Sequence, residues 1–100
     1  MNIVHEQIAQ DIIRRLGVRR AKEGTRPIPP AIPNKTGFEG VDFTGGKYRA
    51  QIRFSDALSG QDTRITLGRF DSAESAGMAY RAAHIHLWGA LSYFLGGVGI

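Results

Sequence analysis

The stretch KYRAQIRF, residues 47–54, sets Tyr48, Ala50, Ile52 and Phe54 in alternation with Lys47, Arg49, Gln51 and Arg53. Successive side chains of a strand point to opposite faces, so a period of two predicts a strand with one apolar and one basic face. A wet sheet face needs polar groups, but it does not need two arginines flanking a glutamine. The strand therefore poses a functional question as well as a structural one.

Two further strands flank it. GVDFT, residues 40–44, sets Val41 and Phe43 against Asp42 and Thr44. After SDALSGQD, whose Ser, Asp and Gly residues signal a loop, TRITLGRF (residues 63–70) sets Ile65 and Leu67 against Arg64 and Thr66. Such short connections predict an antiparallel meander.

DSAESAGMAYRAAHIHLWG, residues 71–89, then changes the period from strand to helix. Asp71 followed by Glu74 reads as a capping-box-like start, and Gly89 as the stop. Ala73, Ala76, Gly77, Tyr80, Ala83 and Leu87 fall on one stripe, whose small residues allow close approach to a sheet. One helix covers only one sheet face. The other is left open with Asp42, Thr44, Lys47, Arg49, Gln51, Arg53, Arg64 and Thr66. An antiparallel sheet tolerates a solvated face, yet this one concentrates three arginines and a lysine.

Ahead of this unit, Val4, Ile8, Ile12 and Leu16 recur every four residues, predicting an amphipathic helix of about four turns closed by Gly17. A lone helix of that length is marginal in water, so it is expected to dock on the domain, on a second copy or on a protein partner. Between helix and sheet, Pro27, Pro29, Pro30 and Pro33 forbid helix and favour an extended, basic linker. The chain thus divides into an N-terminal helix (1–17), a linker (18–36), an α+β domain (37–94) of three antiparallel strands packed on one helix, and a tail (95–100).

The formal charge of +4 is unevenly spread: residues 1–36 carry seven basic and three acidic side chains, residues 37–100 six of each. Arg14, Arg15, Arg19, Arg20, Lys22 and Arg26 could accordingly form an arm that tracks phosphates, or simply solvate the helix and linker. There is no cysteine, which excludes disulfides and thiolate metal sites. No apolar run is long enough to span a membrane and the N-terminus is unlike a signal peptide, so an intracellular location is expected, in cytoplasm or nucleoid.

The run GFEGVDF…GGKYRAQIRF…RITLGRFDSAESAGMAYRAAHIHLWGALSYF resembles the plant ethylene-response-factor, or Apetala-two, DNA-binding domain. It is similar in particular to the bacterial and phage versions found beside HNH homing endonucleases and in some integrases. The resemblance rests on Gly40-Val41, Lys47-Tyr48, Ala50-x-Ile52-Arg53, Leu67-Gly68-x-Phe70-Asp71, Ala73-Glu74-x-Ala76, Ala79-Tyr80, Leu87-x-Gly89 and Phe94. It covers roughly residues 34–94. It implies a three-stranded antiparallel sheet on one helix, with the open face laid in the DNA major groove. It also implies a regulatory or mobile-element protein of a prokaryote or phage, in the latter case working in host cytoplasm. By position, Gln51, Arg53 and Arg64 stand where plant domains contact bases or backbone, and Lys47 matches a lysine. Glu39, Asp42 and Thr44 stand where plant domains carry arginines, and Thr66 replaces a contacting tryptophan.

Arg49, Arg53 and Arg64 suit guanine, whose O6 and N7 accept two hydrogen bonds from one guanidinium. The alternative for them is a solvated strand face with weak ion pairs to Asp42 or Asp62. Gln51 suits adenine, Lys47 suits a phosphate, and Thr44 and Thr66 complete the surface. His84 and His86, two apart on a helix, point to nearly opposite sides and cannot share a metal ion, even with His5 as a third ligand. Trp88, Tyr93 and Phe94 are expected to pack back on the core. The sequence therefore predicts a non-enzymatic binder of double-stranded DNA with no metal, cofactor, small-molecule substrate or membrane partner. The alternative is a small phage-type protein-interaction module, an inhibitor or dimerisation adaptor, that uses residues 1–17 to dimerise or to seize a partner while the sheet face engages an acidic protein.

Overall fold

The computed structural model describes residues 3–22, 38–89 and 92, with side chains from Glu6 onward in the first segment. Its elements are α1 (Ile3–Leu16), β1 (Val41–Thr44), β2 (Lys47–Ser55), β3 (Asp62–Phe70) and α2 (Ala73–Trp88). The fold is α+β, with one open antiparallel sheet in the order β1-β2-β3. The prolines, Arg26, Tyr93, Phe94 and the tail lie outside the described residues.

Local chemistry explains the meander. Thr44 pairs with Lys47 across a two-residue turn, where Gly45 and Gly46 both take positive φ (61° and 80°). A turn with two left-handed residues matches the twist of a hairpin, and glycine adopts it without steric penalty. At the β2–β3 turn, Asp56 Oδ1 accepts from the Leu58 amide at 2.9 Å, and its backbone N–H donates to the Gln61 carbonyl at 2.9 Å.

The β2–β3 ladder holds one irregularity. Ala50 pairs with Gly68, but Gln51 pairs with Thr66, so Leu67 is an extra residue on β3. This is a β-bulge, and Gly68 beside it has φ +147°, with the Phe70 ring 3.1 Å from where a Cβ would stand. A bulge advances the alternation of side chains by one position. Beyond it, residues that a regular strand would turn inward face outward.

The inner face of the sheet contributes Val41, Ala50, Ile52, Phe54 and Leu67 to the core. Above them lies α2, whose Ala76, Ala79, Ala82, Ala83 and Leu87 are all buried. So many buried alanines exceed what one apolar stripe needs, because α2 packs against both the sheet and α1. Ile12 and Leu16 of α1 are 2% and 4% exposed. Of the three destinations open to the N-terminal helix, the domain itself is the one it occupies here.

Two details differ from expectation. The N-cap of α2 is Ser72, whose Oγ accepts from the Ser75 amide at 3.1 Å. Asp71 is instead drawn to Lys47 as its ion-pair partner. The other detail is the start of the expected linker, where residues 18–22 are tied down. The amides of Ala21 and Lys22 donate to the carbonyls of Leu87 and Ser55, and the Ala57 amide donates to the Arg20 carbonyl. Ala21 thereby forms a bridge with Asp56 beyond the end of β2. Residues 23–36 of that linker lie outside the described residues.

Candidate nucleic-acid interface

The ladder registers decide which side chains share the open face. On β1–β2, Asp42 stands opposite Arg49 and Thr44 opposite Lys47. On β2–β3, Arg49 stands opposite Arg69, Gln51 opposite Thr66, Arg53 opposite Arg64, and Ser55 opposite Asp62. All the expected sheet residues, Thr44, Lys47, Arg49, Gln51, Arg53, Arg64 and Thr66, are thus brought together. One further cation joins them: Arg69.

Strict alternation from Arg64 and Thr66 sends residue 69 to the inner face, so the local pattern does not place Arg69 here. The bulge at Leu67 reverses that parity. Its guanidinium crosses the open face, where Nη2 donates to the Thr44 carbonyl at the β1–β2 turn. A glycine inside an otherwise alternating strand was the available signal for such a bulge.

Charge on this face is arranged in two ways. Three cations are held by carboxylates. Arg49 grips Asp42 with both Nε (3.1 Å to Oδ1) and Nη2 (2.6 Å to Oδ2). Arg53 pairs with Asp62 at 3.2 Å, and Lys47 with Asp71. The hydrogen bond from Arg49 holds the Asp42 carboxyl below its ordinary range, and the bond from Lys47 does the same for Asp71. These pairs are exposed, so each adds little to stability. They do orient the guanidinium groups. A side-on grip by Asp42 occupies one edge of Arg49 and leaves its other N–H groups for a ligand.

The second arrangement is repulsive. Arg53 faces Arg64 and Arg49 faces Arg69 across the ladder. Directly opposed like charges destabilise a strand pair. The Arg64 side chain has no hydrogen bond or ion pair among the described residues. Beside the Arg53–Arg64 pair opens a cleft of about 440 Å³ lined by Gly40, Asp42, Gln51, Arg53, Arg64 and Tyr80, among others. Gln51 Nε2 donates to Thr66 Oγ1 at 3.3 Å, which leaves its carbonyl oxygen for a donor from outside.

The described members of the expected basic arm are occupied elsewhere. Arg14 pairs with Asp11 at 3.2 Å, one helical turn away. Arg15 reaches β3, with Nη1 2.6 Å from the Leu67 carbonyl and Nη2 3.5 Å from that of Thr66. Arg19 binds the nearly buried Asp56 carboxylate at 3.3 Å. Arg20 Nη1 donates to the Arg19 carbonyl at 2.7 Å and lies the same distance from His86 Nε2. Lys22 anchors the chain through its backbone amide. Arg15, Arg19 and Arg20 thereby tie the end of α1 and the residues after it to β3, the β2–β3 turn and α2.

The histidines are placed apart. His86 Nε2 lies 2.7 Å from the Gly17 carbonyl at the end of α1. His84 is 1% exposed, stacks at 4.5 Å on Trp88, and meets Ser92 Oγ at 2.7 Å. Burial pushes its pKa down to about 4. Among the described residues no helix is long and apolar enough to cross a membrane.

Comparison of the chain with family models, with curated proteins and with solved structures gave no match.

Proposed function

We propose that the open sheet face binds double-stranded DNA with sequence preference, lying in the major groove as part of a prokaryotic or phage regulatory or mobile-element protein. The observation that carries this is the pair of cross-strand arginine couples, Arg53–Arg64 and Arg49–Arg69. Opposing like charges twice on one small sheet costs stability, and Asp42, Asp62 and the Thr44 carbonyl offset only part of that cost. A polyanion that lies between them turns the repulsion into attraction.

The chemistry fits duplex DNA. A strand ribbon enters the major groove, and arginine is suited to guanine there. Arg49, Arg53, Arg64 and Arg69 supply guanidinium groups, Gln51 an amide suited to adenine, and Lys47 a phosphate contact. Duplex RNA suits the face less, because its major groove is too deep and narrow for side chains to read. The resemblance to Apetala-two domains points the same way.

The test is a fluorescence-anisotropy titration on duplex DNA at several salt concentrations. With about five phosphates neutralised, log K falls against log salt with a slope near −4 to −5. Absence of measurable binding at low salt overturns the proposal.

A second reading, a protein-interaction module, is favoured by one observation. Asp42, Asp62 and Asp71 already partner three of the face cations, as on a surface meeting mixed charge. Under it, the parent protein binds no duplex, and Arg53→Glu with Arg64→Glu weakens capture of the protein partner instead. Under the DNA reading that double change abolishes duplex binding.

A further inference from the structure

Arg15 belongs to α1, which packs on α2 and lies beside β3, where its guanidinium ends. Its acceptors are the carbonyls of Leu67 and Thr66, the extra residue of the bulge and the residue before it. A residue added by a bulge is left without a ladder partner, so its carbonyl needs another donor. Arg15 Nη1 supplies one at 2.6 Å, a charge-assisted bond to a partly buried site.

The consequence lies on the far face. The bulge alone turns Arg69 outward, opposite Arg49. Were it to anneal, β3 beyond Thr66 would slip by one residue, Gly68 would take the place opposite Arg49, and Arg69 would swing toward the helices. Gly68 has no side chain to anchor the strand at this point, so the register there rests on the Arg15 bonds together with the bond of Arg69 to the Thr44 carbonyl and the packing of Phe70 on the core.

We infer that Arg15 is a positioning residue for the DNA-reading face: by binding the Leu67 and Thr66 carbonyls it pins the bulge that presents Arg69. The inference rests on the DNA reading for its consequence, but its structural half is independent of any ligand. The N-terminal helix is thereby coupled to the reading face through one side chain.

The experiment pairs binding with a register measurement on the full chain. Arg15→Met keeps most of the stem and removes the donors. Arg15→Lys keeps one donor. Cross-strand NOEs in the intact protein connect Arg49 with Arg69 and Ala50 with Gly68. In R15M the Arg49–Arg69 NOEs weaken or give way to a slipped register, whereas R15K retains them. In duplex titrations, R15M loses about five- to tenfold in affinity, R15K recovers most of it, and R15M loses nothing further in an R69A background.

A purely structural Arg15 would lower the melting temperature yet show additive effects with R69A, and additivity overturns the inference. So does R15M with its Arg49–Arg69 NOEs intact. Should the parent protein bind no duplex, the DNA reading fails, and the NOE comparison still decides the positioning role. Should R15M not fold, the decision passes to R15K: slipped NOEs, or additivity with R69A, overturn the inference.

Discussion

Arg53 on β2 and Arg64 on β3 stand directly opposite one another on the open face, and only Arg53 has a carboxylate, Asp62, to hold it. A sheet selected for stability alone would place an acid at one of these positions. The Arg64→Glu variant therefore separates folding from binding. Stability is expected to rise by about 0.5 kcal/mol as a cross-strand ion pair replaces a repulsion. Duplex affinity is expected to fall by more than tenfold, through loss of one contact and gain of one repelling charge. Urea denaturation beside anisotropy measures both, and a parallel loss of stability and binding would contradict the assignment.

Asp42 carries the next prediction. It grips Arg49 side-on and so fixes the guanidinium plane, while placing a negative charge on the face proposed to meet DNA. Asp42→Asn keeps one acceptor of two and removes that charge. General affinity for duplex is expected to rise at low salt, with a steeper salt dependence. Discrimination between preferred and scrambled duplexes narrows by roughly 1 kcal/mol, because a loosened arginine reads bases less selectively. Competition titrations with the two duplexes report this, and unchanged discrimination would remove the orienting role from Asp42.

His84 makes stability depend on pH. Its folded pKa, about 4, lies below the ordinary 6.5, so the unfolded chain takes up a proton first as the pH falls. Stability from this group is full above pH 6.5 and is lost progressively toward pH 4, by roughly 3 kcal/mol. Burial of the ring, beside Tyr80 and Trp88, is what disfavours the cation. Thermal melts between pH 7 and 4 should show the decline, and His84→Gln should flatten it.

Leu16 tests the docking of α1. It is 4% exposed and lies in the same core cluster as Leu67 and Leu87. Leu16→Ala should destabilise the whole domain by about 2–5 kcal/mol in a single transition. A variant whose sheet and α2 unfold as before, with only α1 lost, would show that α1 is an appendage.

Much of this architecture was legible in local patterns. Alternation along residues 47–54 located β2 and its basic face, and the four-residue recurrence from Val4 to Leu16 located α1. The short connections marked the meander, and Gly17 and Gly89 the ends of the helices. The N-cap of α2 was displaced by one residue because Asp71 and Ser72 are equally good caps locally. What separates them is Lys47, distant in sequence, which draws the aspartate away.

The candidate site was legible only in part. Arg49, Arg53 and Arg64 could be assigned to one face from their own strands. Their carboxylate partners could be named only as options, and the opposition of Arg53 to Arg64 requires the register. Arg69 illustrates the limit. Its placement depends on one unpaired residue, Leu67, and that bulge is held by a guanidinium more than fifty residues earlier in the chain.

By itself, then, the sequence determined the elements and the chemical character of each face, because periods of 2.0 and 3.6 residues are properties of neighbouring side chains. The tertiary structure decided three other matters: which arginines confront one another, which of them are held by acids, and where the N-terminal basic residues are engaged. Strand register, ion pairing and helix docking arise between segments far apart in the chain. Their energies depend on what each group meets across space, and no local pattern records that.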